Sequence, residues 1–440
     1  MNTKNNTATA PSASAEVKPL MGNEAIAQGA WEAGVRVAVA YPGTPSTEIL
    51  EAVNKYPKED IHAQWSTNEK VALDVAIGGS FQGVRSLAVM KHVGLNVASD
   101  ALMSQTYIGV NGGLVIVVCD DPGIHSSQNE QDTRLFARFA MVPVLEPSDA
   151  QEALDFTKVA FDISEQFDTP VILRSTTRLS HTRSPVALGE RVDVPPRPFN
   201  ENPQKNVMLP THARVRHAAL LEREDAVADY FETSALTKVE RGDTKIGVIT
   251  TSMSYSYVKE VLPDASILKL AGSYPLPQKT IRDFAASVDR VIVVEELEPV
   301  IENQLKVWDI KVEGKAFFSR MGEQSSESVR DGFVKAGVLP DEGKGADIID
   351  LDPTVRPPVL CPGCPHTSTY LSVRQTEARV CGDIGCYTLA AVKPLQAIDT
   401  CVSMDRASPM RSACPKPEPK PSRLSRPLAI PRSCMRDCRR

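Results

Sequence analysis

Apolar positions along this chain alternate between two rhythms, short β-branched runs and helical repeats. NEAIAQGAWEAG (Asn23 to Gly34) has helical spacing and stops on Gly. Val35 to Ala40 then predicts a strand, a Pro/Gly turn follows, and a helix opens at Pro45 or Ser46. KVALDVAIGGSFQG predicts a helix and VRSLAVMK a strand. GGLVIVVCDDPG (Gly112 to Gly123) predicts a fully apolar strand with an acidic exit loop, and DAQEALDFTKVAFDISEQFDTPVILRST a helix then a strand. Strand and helix alternate from about Gly22 to Val186, which predicts an α/β, doubly wound parallel sheet.

Ser184 to Arg214 is rich in Pro, Arg and Asn and reads as the start of a linker region, taken as 191–243. From about Thr244 to Ile348, TKIGVITTSMSYSYVKEVL, ASILKLAGSYPLP and TIRDFAASVDRVIVVEELEPVIENQLKVW predict a second compact α/β domain. A third region opens near Pro353 and carries one clear unit, ARVCGDIGCYTLAAVKPLQAIDTCVSM. No solenoid-length repeat is present.

The 440 residues have room for two or three domains, and 42% hydrophobic content suffices for their cores. Net charge is -6, yet Asp405 to Arg440 holds ten Lys/Arg against three Asp/Glu, so the rest of the chain is near -13. An anionic body argues against nucleic-acid binding. No apolar run nears the ~18 residues of a membrane span. Residues 1–19 are polar and small, without a secretory apolar core, and predict a disordered lead-in. Of nine cysteines only Cys119 precedes residue 361, which is no disulfide framework and suggests a cytoplasmic protein.

Several residues could carry chemistry. YPGTPSTEIL places Tyr41, Thr44 and Ser46 at a strand-to-helix turn, either an anion-facing turn or a plain capped helix. Glu69 opens an apolar helix, where a carboxylate suits the dipole whether or not it is catalytic. Lys91 and His92 end a strand before Gly94, as a ligand loop or as structural residues. Asp120, Asp121 and His125 lie in a long polar loop that could bind metal or be merely solvated. Cys361-x-x-Cys364 with His366 has metal or redox spacing. Cys381 and Cys386 do not complete a zinc ribbon or knuckle, and no thioredoxin-like pattern surrounds the pair. A nucleotide-binding α/β protein with a zinc site is the competing reading; the lack of a Walker A or a GxGxxG after a strand counts against it.

Read in order, NEAIAQGAWEAG, AYPGTPSTEI, NEKVALDVAIGGS, VMKHVGLNVASD, DDPGIHSSQNEQDTR, TPVILR, RPPVLCPGCPH and GDIGCYTL with DTCVSM resemble the indolepyruvate ferredoxin oxidoreductase alpha subunit, a thiamine-diphosphate-dependent 2-oxoacid:ferredoxin oxidoreductase. The resemblance runs from about Leu20 to Met404. It implies a pyrimidine-binding domain over 20–190, a transketolase C-terminal-type domain over 244–348, and the start of a diphosphate-binding domain over 353–404. It also implies oxidative decarboxylation of an aryl pyruvate with coenzyme A to the acyl-CoA and CO2. Ferredoxin would take the electrons and a beta subunit would be the partner. Thiamine diphosphate reacts through a C2 ylid, while the protein supplies orientation and proton control. By resemblance Glu69 would bond the aminopyrimidine ring nitrogen, which requires a raised carboxyl pKa to share the proton. Tyr41, Thr44 and Ser46 would face the 2-oxoacid, with Lys91 and His92 at the same mouth. Gly382, Asp383, Gly385 and Cys386 would approach the thiazolium side, with Cys361 and Cys364 among the cofactor-binding residues.

The family continues after DTCVSM with a GDSTF-type loop for Mg2+ and with cysteine runs for 4Fe-4S clusters. Here the tail is DRASPMRSACPKPEPKPSRLSRPLAIPRSCMRDCRR, with seven Pro, eight Arg and no Gly, Val or aromatic residue. Alternating Pro cannot continue a buried strand or helix. A reading-frame shift after Met404 accounts for this. Suitable codons for Leu428 to Arg436, read from the third base, spell GDSTFMHA, and the same offset over Ala407 to Cys414 can spell GITNAVGM. The chain as given is then expected to be inactive, lacking the Mg2+ loop, the cluster ligands and any metal site of its own. The alternative is a partner-binding remnant of the same subunit.

Overall fold

The computed structural model describes residues 16–341, 359–376, 380–402 and 428–429. The chain divides into two compact units, Met1–Asp341 and Glu342–Arg440.

The first unit opens with β1 (Val17–Met21), α1 (Gly22–Glu32), β2 (Val37–Ala40), α2 (Thr47–Val53), β3 (His62–Trp65), α3 (Glu69–Phe81) and β4 (Ser86–Lys91). It continues with α4 (His92–Ile108), β5 (Leu114–Asp120), α5 (Thr133–Ala140), β6 (Val144–Leu145), α6 (Ala150–Phe167), β7 (Val171–Thr176), α7 (Thr177–His181) and β8 (Arg183–Ala187). Six strands form a parallel sheet in the order β3-β2-β4-β5-β7-β6. Helices bury both faces, so the central strands are apolar on both sides. Ala38, Leu87 and Val115 pack beneath α1, α2 and α6, while Val39, Ala88 and Ile116 pack beneath α3, α4 and α5.

This order positions the site. From β2 the chain moves outward to β3 under α2; from β4 it moves the other way to β5 under α4, on the opposite face. The carboxyl ends of β2 and β4 therefore flank a topological switch point, where open α/β sheets hold ligands.

Four elements depart from the sequence reading. Strand β3 was not foreseen, because an edge strand with alternating exposed positions lacks an apolar run. Lys91 and His92 do not sit in a loop: Lys91 is the extended N-cap and His92 the first residue of α4. Val17–Pro19, expected in the lead-in, belong to β1, because β8 offers it an antiparallel edge; residues 1–15 lie outside the described residues. The stretch read as linker contains α8 (Pro203–Asn206) and the 24-residue α9 (Pro210–Thr233). Leu220, Val227 and Phe231 bury one stripe of α9, and Arg216 and Arg223 donate to the last carbonyls of α4 at Tyr107 and Thr106, at 2.8 and 2.7 Å.

The second sheet belongs to the same unit. It has the order β12-β10-β11-β9, from β9 (Lys238–Glu240), β10 (Asp243–Thr250), β11 (Ala265–Lys269) and β12 (Arg290–Val294), with β9 antiparallel. Helices α10 (Ser252–Val261), α11 (Gln278–Ala285), α12 (Val300–Val307) and α13 (Ser326–Lys335) complete two cores around it. At the seam with the first sheet, Val144 N donates to Tyr274 O at 2.8 Å and Glu146 N to Ala271 O at 2.9 Å. A Cβ on Gly272 would lie 1.7 Å from the Val144 carbonyl, so only glycine permits this approach.

The second unit has α14 (Pro365–Gln375), β13 (Val380–Cys381), a 3-10 turn over Cys386–Ala391, and β14 (Leu428–Ala429), which pairs parallel with β13. Tyr370, Val373, Val380 and Tyr387 make its small core. The frame-shift reading over 405–440 otherwise falls outside the described residues. Among the described residues, no helix is long and apolar enough to cross a membrane.

Candidate functional site at the switch point

The turn after β2 is held from within. Ser46 donates to the Gly43 carbonyl at 2.7 Å, Gly43 N donates to Thr47 Oγ1 at 2.9 Å, and Asn23 Nδ2 donates to the Pro45 carbonyl at 2.7 Å. The Thr44–Pro45 peptide bond is cis. Ser46 is thus buried and used by the turn, while Thr44 is exposed and Tyr41 half-buried.

Glu69 is the first residue of α3, after the N-cap Asn68, whose side chain accepts from Val71 N at 2.9 Å. The carboxylate is buried at 3% exposure at a helix N-terminus, where the dipole favours negative charge. Gly94 of α4 lies directly against it: an added Cβ would come within 2.4 Å of Glu69 Cγ. The two helices therefore meet at a carboxylate and a glycine.

Lys91 and His92 complete the crevice beside β2, and both are buried. Lys91 Nζ donates to Ser126 O at 2.6 Å and lies 4.0 Å from Asp121 Oδ2. Burial pulls the Lys91 ammonium below its ordinary pKa, and Asp121 opposes this only in part. His92 Nε2 is 3.3 Å from Asn129 O, and its Nδ1 is buried without a partner. Gly43 brings the β2 turn against Lys91: a Cβ there would be 3.1 Å from Lys91 Cβ. Sequence reasoning missed Ser126 and Asn129, since their contribution is backbone carbonyl and leaves no residue-type signal.

The acidic loop after β5 is consumed by internal bonds. Asp120 pairs with Arg174 at 2.7 Å and accepts from Thr133 N at 3.1 Å. Asp121 accepts from Ser126 N at 2.8 Å and from Thr177 Oγ1 at 2.7 Å. Burial would raise the Asp121 carboxyl, but bonds from Ser127, Thr177 and Ser126 outweigh it and hold the pKa low. Among the described residues, no group of three or more His, Cys, Asp or Glu is placed to hold a metal ion. The solvated-loop reading is corrected for Asp120 and Asp121, which are buried, while His125 is exposed.

In the second unit, Cys361 and Cys386 are exposed and Cys364 is half-buried, with its Sγ 3.3 Å from His366 Nδ1. Burial and then the nearby Cys364 and Cys361 push the Cys386 thiol up. Asp383 is buried, its Oδ1 accepting from Ile384 N at 2.9 Å. Gly385 admits the Tyr387 ring, whose Cε1 would lie 2.3 Å from an added Cβ; at Gly382 the neighbour is Ile398, at 2.9 Å.

A cleft of about 580 Å³ lies elsewhere, between α9 and Tyr274–Leu276. Its lining includes Glu224, Asp225, Asp229 and Glu232. Such a lining repels an anionic ligand, so the switch point is the better candidate.

The family described as "Pyruvate flavodoxin/ferredoxin oxidoreductase, thiamine diP-bdg" matches residues 28–243, which include every first-unit residue named above as a site candidate. An indolepyruvate oxidoreductase subunit IorA from Methanothermobacter marburgensis is 41% identical, with 90% of this chain and 67% of that protein covered. The chain belongs to the indolepyruvate oxidoreductase IorA family. The IorA of Archaeoglobus fulgidus is 43% identical, over 88% of this chain and 66% of the relative. The chain thus spans about two thirds of the length of these curated relatives. A more distant relative, the 2-oxoglutarate synthase subunit KorA of A. fulgidus, is 25% identical over 70% of this chain and 96% of its own length. In fold, the chain is similar to the 2-oxoglutarate:ferredoxin oxidoreductase from Magnetococcus marinus, with a TM-score of 0.62 and 17% identity over 75% of this chain and 67% of that one.

Proposed function

We propose that the chain is of the alpha subunit of an aryl-pyruvate, specifically indolepyruvate, oxidoreductase, in which the whole protein makes the acyl-CoA and passes electrons to ferredoxin; the turnover is assigned to that whole protein and not to this chain by itself. Its partner is the family's beta subunit, and it works in the cytoplasm. The observation that carries this reading is the buried Glu69 carboxylate at the α3 N-terminus, pressed against Gly94 of α4, the helix that opens after β4 with the buried Lys91 and His92.

These residues fit the pyrimidine half of thiamine diphosphate. A buried carboxylate can bond a protonated ring nitrogen, and the unpartnered His92 Nδ1 is an acceptor awaiting a donor. When bound, the cofactor supplies the carbanion chemistry that no side chain can. The chain's part is then to orient and to control protons. Glu69, buried at the α3 N-terminus, would hold a proton at the ring nitrogen. The Tyr41–Ser46 turn and Lys91 face the anionic 2-oxoacid, with Thr44 exposed as a donor. In the second unit Gly382, Asp383, Gly385, Cys386, Cys361 and Cys364 are the proposed thiazolium-side residues. Mg2+ and 4Fe-4S clusters belong to the whole protein of this family.

Calorimetry with thiamine diphosphate and Mg2+, on the chain with its beta subunit, tests the reading. Binding should occur and should weaken about tenfold or more in Glu69→Gln, the worth of one charge-assisted hydrogen bond. Binding that ignores Glu69→Gln would sink the assignment. A chain that binds the beta subunit but no cofactor would be the partner-binding remnant instead.

A further inference from the structure

The segment 121–131 between β5 and α5 forms a strap whose carbonyls, from Ser126 and Asn129, meet Lys91 and His92. Its ends are fixed by Asp121, bonded to Thr177, and by Asp132, paired with Arg134. Its middle is held from the second-sheet half of the unit. Glu130 Oε1 accepts from Gly123 N at 2.6 Å and from Gly322 N at 3.1 Å, which closes the strap on itself and ties it to the loop before α13. His125 Nε2 lies 3.5 Å from Glu323 Oε1, and Glu323 also takes Arg178.

A carbonyl oxygen can only accept. Where His92 Nε2 faces Asn129 O, the neutral ring must carry its proton on Nε2, and Nδ1 keeps the lone pair. That Nδ1 is the buried atom without a partner. The strap therefore decides which ring nitrogen is an acceptor, and Glu130 decides where the strap lies.

We propose that Glu130 is a positioning residue for His92: by bridging Gly123 and Gly322 it sets the Asn129 carbonyl that fixes the Nε2–H tautomer and leaves Nδ1 to accept from a donor on the bound ligand. The second-sheet half thereby contributes to the switch-point site without placing a side chain in it. This inference rests on reading that site as the ligand pocket.

The test is a nitrogen-15 spectrum of the histidine rings in the full chain, at a pH where they are neutral, with His92→Gln to assign the signal. The wild-type chain should show His92 with a protonated-type Nε2 and a lone-pair-type Nδ1. Glu130→Gln keeps an acceptor oxygen and should preserve this pattern. Glu130→Ala should average the two tautomers; if it does not fold, Glu130→Asp, one methylene shorter, reads the same loss. A Glu130 that is merely structural would lower stability and leave the His92 signal unmoved, which would overturn the proposal. So would a wild-type Nδ1–H tautomer. The spectrum needs no cofactor. The expected tautomer without thiamine diphosphate binding would therefore defeat only the functional reading, and binding with the opposite tautomer only this one.

Discussion

Gly94 of α4 sits so close to Glu69 of α3 that an added Cβ would fall 2.7 Å from the carboxylate Oε1. Helix propensity alone favours Ala over Gly by about 1 kcal/mol. The contact reverses that sign. Gly94→Ala should destabilise by about 1–3 kcal/mol, the usual cost of overpacking, and should weaken thiamine diphosphate binding by displacing Glu69. Gly78 of α3 is the control, since nothing lies within 4 Å of the point where its Cβ would stand; Gly78→Ala should stabilise by about 0.5–1 kcal/mol. Urea melts of the two variants decide, and a stabilised Gly94→Ala would show that the fit is loose.

Arg134 should be among the costliest single positions. It is fully buried, pairs with Asp132 at 2.6 Å and Glu295 at 2.7 Å, and donates to the Glu296 and Glu298 carbonyls. Arg134→Ala leaves two carboxylates buried without their cation, at a cost of about 3–5 kcal/mol. Burial already raises the Glu295 carboxyl, and loss of the arginine would raise it further. Denaturant midpoints measure the loss, and a shift within ~0.5 kcal/mol would mean that water reaches the seam.

Glu152 gives the pH dependence. Burial would raise its carboxyl, but Lys269 and then Lys238 override this and bring the pKa to about 2. The unfolded value is near 4.5. A depressed carboxylate contributes stability that is complete above the unfolded pKa and is lost as pH falls toward the folded one. Burial works against the pair at its other end by lowering Lys269, so the net gain is less than the Glu152 shift alone implies. Stability measured from pH 5 down to 2 should therefore fall more steeply in the wild-type chain than in Glu152→Gln. Equal slopes would remove Glu152 from the acid response.

Thiol chemistry should separate the cysteines. Cys119 is buried in β5, and burial pushes its thiol up to about 12. Cys361 and Cys386 are exposed. Brief alkylation of the native chain near pH 8, followed by peptide mapping, should label the latter two and spare Cys119. Labelling of Cys119 at the same rate would mean that the central sheet opens readily.

Much of the switch point was legible in advance because periodicity and turn chemistry are local. The β2, β4 and β5 strands announce themselves as apolar runs, and Glu69 as the first residue of an apolar helix. Strand β3 and helix α9 were not legible. The first is an edge with alternating exposure, and the second hides behind Pro-rich flanks while burying only Leu220, Val227 and Phe231 of its length. The acidic loop was only half legible for a related reason: Asp120 and Asp121 read as ligands or as a solvated face until Arg174, Thr133 and Thr177 arrive from distant elements to bury and satisfy them.

The order of residues by itself determined the alternating α/β class, the family, and which side chains could do chemistry, since these depend on residue type and short spacing. Only the tertiary structure decided that Gly94 presses on Glu69, that His92 opens a helix, and that a strap held by Glu130 and Gly322 faces both Lys91 and His92. Those relations join residues far apart in sequence through backbone carbonyls and close approaches, and neither has a residue-type signature until the chain has folded.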